Sequence, residues 1–114
     1  MDPSYAARHL NVGFSGGEKK KSEIFQMSVL NPKLAILDET DSGLDVDAVK
    51  VVSESVKRYK SETNGILIIT HITRILDKLP IDYVHVMADG RIARTSDASM
   101  IEQISRGGFA SVLA

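Results

Sequence analysis

Unbroken apolar runs and helical periods alternate along this chain. Leu34-Ala35-Ile36-Leu37 and Ile66-Leu67-Ile68-Ile69 are continuous apolar stretches. Such runs predict strands buried on both faces, as in a parallel sheet. Between them Val49, Val52, Val56 and Tyr59 recur at the spacing of one helix face. Asp45 or Asp47 is placed to cap that helix, which is expected to end near Thr63-Asn64-Gly65, with Gly65 as the stop. Strand, helix and strand in this order predict a βαβ unit.

The flanks follow other periods. Residues 1–11 carry only a weak pattern, in which Asp2 and Pro3 open a short helix through Ala6, Ala7 and Leu10. Ser15 and Glu18 have capping-box spacing and start a helix with Ile24, Met27, Val29 and Leu30 as its apolar stripe and Phe25 beside it. Asn31-Pro32 ends it. A short helix through Ile75, Leu76 and Leu79 stops at Pro80. Tyr83 to Met87 alternates, Asp89-Gly90 is a hairpin turn, and Ile92 to Thr95 returns as the partner strand. Tyr83, His85 and Met87 share a face and are expected to pack. Asp97 caps a last helix through Met100, Ile101 and Ile104, closed by Gly107-Gly108.

Composition narrows the function classes. The 114 residues are 43% apolar and 25% charged, ordinary for one globular domain. A net charge of −1 offers no electrostatic footprint for nucleic acid or an anionic membrane. With no cysteine, the chain has neither disulfides nor thiolate ligands for a metal cluster. Its longest apolar run is far too short to span a bilayer, so no direct membrane insertion is expected. A reducing, cytoplasmic setting is the default.

The candidate chemistry lies where the first strand ends. Asp38 and Glu39 are adjacent carboxylates at a strand's carboxyl end, where open α/β sheets bind ligands. One can hold a metal while the other orients a water, which suits phosphoryl transfer. The plainer alternative is a polar turn after a core strand. Ser15 to Glu18 can likewise be no more than a capped helix start, and Lys19 to Lys21 a solvated turn. His9 and His85 carry no functional expectation.

Taken together, Phe14-Ser15-Gly16-Gly17-Glu18, then Leu37-Asp38-Glu39-Thr40-Asp41-Ser42-Gly43-Leu44-Asp45, then Thr70-His71 closely resemble an ABC-type ATPase. They match its signature loop, Walker B strand, D-loop and switch histidine, from about Arg8 to the end of the chain. The variant is nearest to the soluble ATPase of the Suf iron–sulfur cluster assembly system (SufC-like). The resemblance implies an α/β fold: an incomplete P-loop NTPase domain with parallel strands, a crossover helix and a C-terminal hairpin and helix. It implies ATP and Mg²⁺ as ligands, with Asp38 on the metal, Glu39 as general base and His71 at the γ-phosphate. Ser15, Gly16, Gly17 and Glu18 are then expected to reach the nucleotide of the opposite subunit, with Asp41, Ser42 and Asp45 along the seam of an ATP-dependent homodimer. Suf scaffold subunits are the implied partners. Lys19 and Lys20 are placed to approach Glu39 in a nucleotide-free subunit.

One part of that family's machinery has no counterpart in the sequence. Gly16 to Ser22 only imitates a phosphate loop, because the second glycine of Gly-x-x-x-x-Gly-Lys-Ser/Thr must directly precede the lysine. Residues 1–114 are therefore expected to be part of one ATPase domain, starting at an internal methionine and inactive alone. In the family's strand order the strand at 65–70 would then have an open edge. A transporter ATPase subunit and a non-catalytic interaction module are the competing readings.

Overall fold

The computed structural model describes Ser4 and residues 16–40, 43–71, 73–76 and 79–113. The short helix expected through Ala6, Ala7 and Leu10 lies outside them. Contacts divide the chain into two units, residues 1–75 and 76–114.

In the first unit, helix α1 (Gly16–Leu30) precedes strand β1 (Leu34–Asp38), helix α2 (Val46–Tyr59) and strand β2 (Gly65–Ile69). Asn31 ends α1 with a φ of 44° and donates its N–H to the Met27 carbonyl at 2.9 Å. Asparagine tolerates that left-handed turn, and Pro32 prevents the helix from resuming. Asp45, rather than Asp47, caps α2 by accepting the Ala48 N–H at 2.8 Å. Val49, Val52 and Val56 fill the buried stripe of α2, and Tyr59 donates its hydroxyl to the Pro32 carbonyl. Each buried aliphatic side chain of this kind stabilises by roughly 1.5–3 kcal/mol. That outweighs the low helix propensity of the valines.

The parallel pairing is as expected. β1 and β2 run parallel in the register Leu34 to Gly65 through Asp38 to Ile69. Two expectations fail here. The helix stops at Tyr59, and Gly65 opens β2 instead of closing α2. Asn64 makes the turn: its amide donates to the Tyr59 carbonyl at 2.6 Å and its carbonyl accepts the Ser61 N–H at 2.8 Å. The strands are also not buried on both faces. Ala35 and Leu37 are buried, but Leu34 and Ile36 are 61% and 59% exposed, and Leu67 and Ile69 are each 46% exposed. Among the described residues only one face of the pair is covered.

On α1, Ser22, Ile24 and Met27 are buried. Phe25, Val29 and Leu30 face solvent, so the expected stripe is narrower than its apolar content. After β2, a 3₁₀ turn at Thr73–Leu76 stands where a short helix was expected, and Ile75 is fully buried.

The second unit contains hairpin strands β3 (Val84–Ala88) and β4 (Arg91–Ser96), then helices α3 (Ser99–Gly107) and α4 (Ala110–Leu113). Asp89 and Gly90 turn the hairpin with φ of 52° and 75°. The register shifts between Val86 and Met87. Val86, Met100, Ile104 and Val112 form the core, with Val84 against it. Tyr83 and Met87 do not pack as expected: both are exposed. The sequence pattern gives no sign of α4, whose Val112 completes that core.

Candidate functional site

Local chain geometry brings the two ends of the parallel pair together. β1 delivers Asp38 on its exposed face, and Glu39 then leaves the strand with a φ of 50°. A left-handed glutamate costs on the order of 1 kcal/mol, so the turn is held by its surroundings. Three contacts hold it. The Glu39 N–H donates to the Ile69 carbonyl at 2.7 Å, extending the ladder by one rung. Lys20 Nζ of α1 donates to the Glu39 carbonyl at 3.0 Å. His71 Nδ1, just beyond β2, lies 3.3 Å from Glu39 Oε1.

Asp38, Glu39 and His71 thus gather at the carboxyl end of the sheet, as the sequence predicts. Glu39 and His71 are both more than half exposed, so the contact is open to solvent and weak by itself. With Nδ1 protonated, the ring donates to the carboxylate. Lys20 also arrives where expected, but on the main chain: the ion-pair partner of the Glu39 carboxylate among the described residues is His71. Sequence reasoning missed Thr40. Its side chain is 2% exposed and its hydroxyl has no hydrogen-bond partner among the described residues. A threonine next to two carboxylates gives no signal of burial.

The remaining predicted positions lie apart or outside the description. Gly16, Gly17 and Glu18 form the first turn of α1. Asp45 is exposed, with one carboxylate oxygen used by its own helix. Ser15, Asp41 and Ser42 lie outside the described residues, while Gly43 follows them with a φ of 77°. A cleft of about 370 Å³ lined by Ser28, Asn31, Ser55, Arg58 and Tyr59 lies at the other end of β1 and contains none of these groups.

No three His, Asp or Glu side chains converge as a metal cage among the described residues. Mg²⁺ keeps several waters and takes only one or two carboxylates alongside phosphate oxygens. Exposed Asp38 at the strand end fits that role.

Comparisons with known proteins bear on this geometry. The chain is 51% identical over 109 residues to "Probable ATP-dependent transporter ycf16" of Cyanophora paradoxa, covering 96% of this chain and 42% of that protein. It is 50% identical to "Vegetative protein 296" of Bacillus subtilis, with 96% and 42% covered. A "Probable ABC transporter ATP-binding protein" of Streptococcus pyogenes serotype M3 is 49% identical over 112 residues, with 98% and 44% covered. Relatives of this chain thus include proteins named as ABC transporter ATP-binding proteins and as ATP-dependent transporters. This chain spans less than half the length of these relatives. A solved structure from work on "ATP-driven dimerization and DNA stimulated activation of SMC ATPases" superposes with a TM-score of 0.58 at 22% identity, covering 81% of this chain and 62% of that one. The fold is therefore the α/β fold of an ABC/SMC-type ATPase domain, in part. No protein-family model matches the chain. No helix among the described residues is long and apolar enough to cross a membrane.

Proposed function

We propose that residues 1–114 are part of one ABC-type ATPase domain that works in the Suf iron–sulfur cluster assembly machinery of the cytoplasm. The carrying observation is the 3.3 Å contact of Glu39 and His71 across the carboxyl ends of two paired parallel strands. Parallel sheets bind ligands at that end.

Asp38 holds Mg²⁺, which when bound neutralises charge on the nucleotide phosphates. Glu39 accepts a proton from the attacking water as its oxygen bonds to the γ-phosphorus and the bond to the β-phosphate bridge breaks. His71 orients Glu39 at rest and hydrogen-bonds the γ-phosphate of bound ATP. Gly16, Gly17 and Glu18 form the first turn of α1, and a helix N-terminus favours a phosphate; together with Ser15 they serve the nucleotide held by a second subunit. Asp41, Ser42 and Asp45 lie along that homodimer seam. The chain has no cysteine, which agrees with the cluster being carried by Suf scaffold subunits.

The names of the relatives favour a second reading, an ABC transporter's ATP-binding subunit. Both readings share one chemical test, made in a hybrid that completes this chain with the unmatched part of the Cyanophora paradoxa relative. Glu39→Gln in the hybrid should retain Mg-ATP binding and lose turnover by about 10²–10⁴-fold, because an amide cannot take the proton. Unchanged hydrolysis would remove Glu39 from the mechanism. Co-purification with Suf scaffold subunits rather than an integral membrane protein separates the two readings.

A further inference from the structure

Asn64 and Gly65 join the turn after α2 to strand β2. Asparagine followed by glycine is the dipeptide most open to a reaction within the chain itself. The glycine's main-chain nitrogen attacks the asparagine's Cγ, and the bond from Cγ to Nδ2 breaks. Ammonia leaves with the nitrogen's proton and a cyclic imide closes. Solvent water then opens the ring to aspartate, or to isoaspartate, in which the main chain runs through the former side chain. Glycine favours the attack because no Cβ shields its nitrogen. The other asparagines are poorly placed for it. Asn11 precedes β-branched Val12, and Asn31 precedes Pro32, which has no N–H to lose.

The fold withholds each reacting group. Asn64 Nδ2 donates to the Tyr59 carbonyl at 2.6 Å, and Oδ1 accepts the Ser61 N–H at 2.8 Å. The Gly65 N–H donates to the Lys33 carbonyl at 2.7 Å, where the β1–β2 pairing begins. Cyclisation requires these bonds to be broken together, so it waits on opening of the turn, a local event with its own free energy.

We propose that Asn64–Gly65 is a self-modification site: deamidation proceeds when this turn opens, and its product loosens the β1–β2 pair. An aspartate at 64 sets a carboxylate against the Tyr59 carbonyl, at a helix C-terminus whose dipole disfavours negative charge. The Tyr59 carbonyl also loses its donor. Lys60 Nζ is the cation at hand, but it is already bound to the carbonyls of Ser61 and Asn64 and offsets little of this. Isoaspartate instead adds a methylene to the main chain next to the Gly65–Lys33 bond.

The 114-residue chain is incubated at one temperature in buffer and in guanidinium chloride. Trypsin, cutting after Lys60 and Arg74, releases residues 61–74, in which Asn64 is the one side-chain amide. The mass change from amide to acid in that fragment should appear about tenfold or more slowly in buffer. A Cβ at Gly65 would meet Leu34 Cδ1 at 3.5 Å and the Lys33 carbonyl oxygen at 4.0 Å, ordinary contacts. Gly65→Ala is therefore accommodated and should suppress the reaction in both solutions. Tyr59→Phe removes the hydroxyl tie to Pro32; it should raise the rate in buffer a few-fold and leave the denatured rate unchanged. Asn64→Asp should lower the urea midpoint with an unchanged slope. Three results would each overturn the proposal: equal rates in buffer and denaturant, a rate in buffer indifferent to Tyr59→Phe, or an Asn64→Asp midpoint no lower than that of the parent chain.

Discussion

Glu39 and Thr40 are neighbours with opposite problems. Glu39 is exposed but held in a backbone conformation that a non-glycine residue rarely takes. Thr40 is buried, with its hydroxyl lacking a partner among the described residues. A buried unpaired hydroxyl costs about 1–3 kcal/mol, whereas a methyl in its place costs nothing in lost hydrogen bonds. Thr40→Val should therefore stabilise the chain by about 1 kcal/mol, read as a higher urea midpoint with an unchanged slope. A lower midpoint would mean that the hydroxyl has a partner after all. The turn at Glu39 was only half legible in sequence. Adjacent carboxylates at a strand end announce chemistry, but a φ of 50° and a lysine bound to the main-chain carbonyl leave no trace in residue type.

At the scale of elements, local signals succeeded where one side chain decides an end. Asp45 starts α2, Asn31-Pro32 stops α1, and Asp89-Gly90 turns the hairpin. They failed where two candidates competed. Gly65 has the look of a helix stop, but the Asn64 amide closes that turn and leaves Gly65 to the strand. Burial of the strands was misjudged for a different reason: an apolar run says that a segment needs cover, not that cover is present. The start of α3 differs from expectation, since Ala98 rather than Asp97 stands at its N-cap with no side-chain cap hydrogen bond, but the Asp97 turn just before it offers a test with a definite sign. Asp97 accepts the N–H of Ser99 at 2.9 Å and its hydroxyl at 2.5 Å. These bonds, the hydroxyl's foremost, hold its carboxyl below the usual 3.8. A depressed folded-state value means that the contribution of the Asp97–Ser99 turn is complete above the unfolded value and is lost as pH falls through the folded one. Far-UV circular dichroism across that acid range should show helix loss in the native chain. Asp97→Ala should lose helix already at neutral pH and show a flatter acid response; an unchanged acid profile would exclude the Asp97–Ser99 turn as its source.

At the scale of the whole molecule, the α/β fold was readable because the βαβ unit is written in periodicity, while the division into two units was not. The 114-residue chain should neither bind nor hydrolyse ATP measurably. It carries the proposed metal aspartate, base and histidine, but its sequence has no glycine-rich phosphate loop ending in Gly-Lys-Ser/Thr. Positioning supplies most of what phosphoryl transfer requires. Calorimetric titration with Mg-ATP followed by a phosphate-release assay checks this, and micromolar binding by the chain would point to a different phosphate site.

The bare face of the parallel pair also matters to anyone re-engineering this protein. Surface rules applied to the chain as it stands would choose Leu34, Ile36, Leu67 and Ile69 for replacement by charged residues to improve solubility. A sequence optimised that way would behave better in a tube. It would also have erased an apolar face of the kind that parallel sheets keep covered.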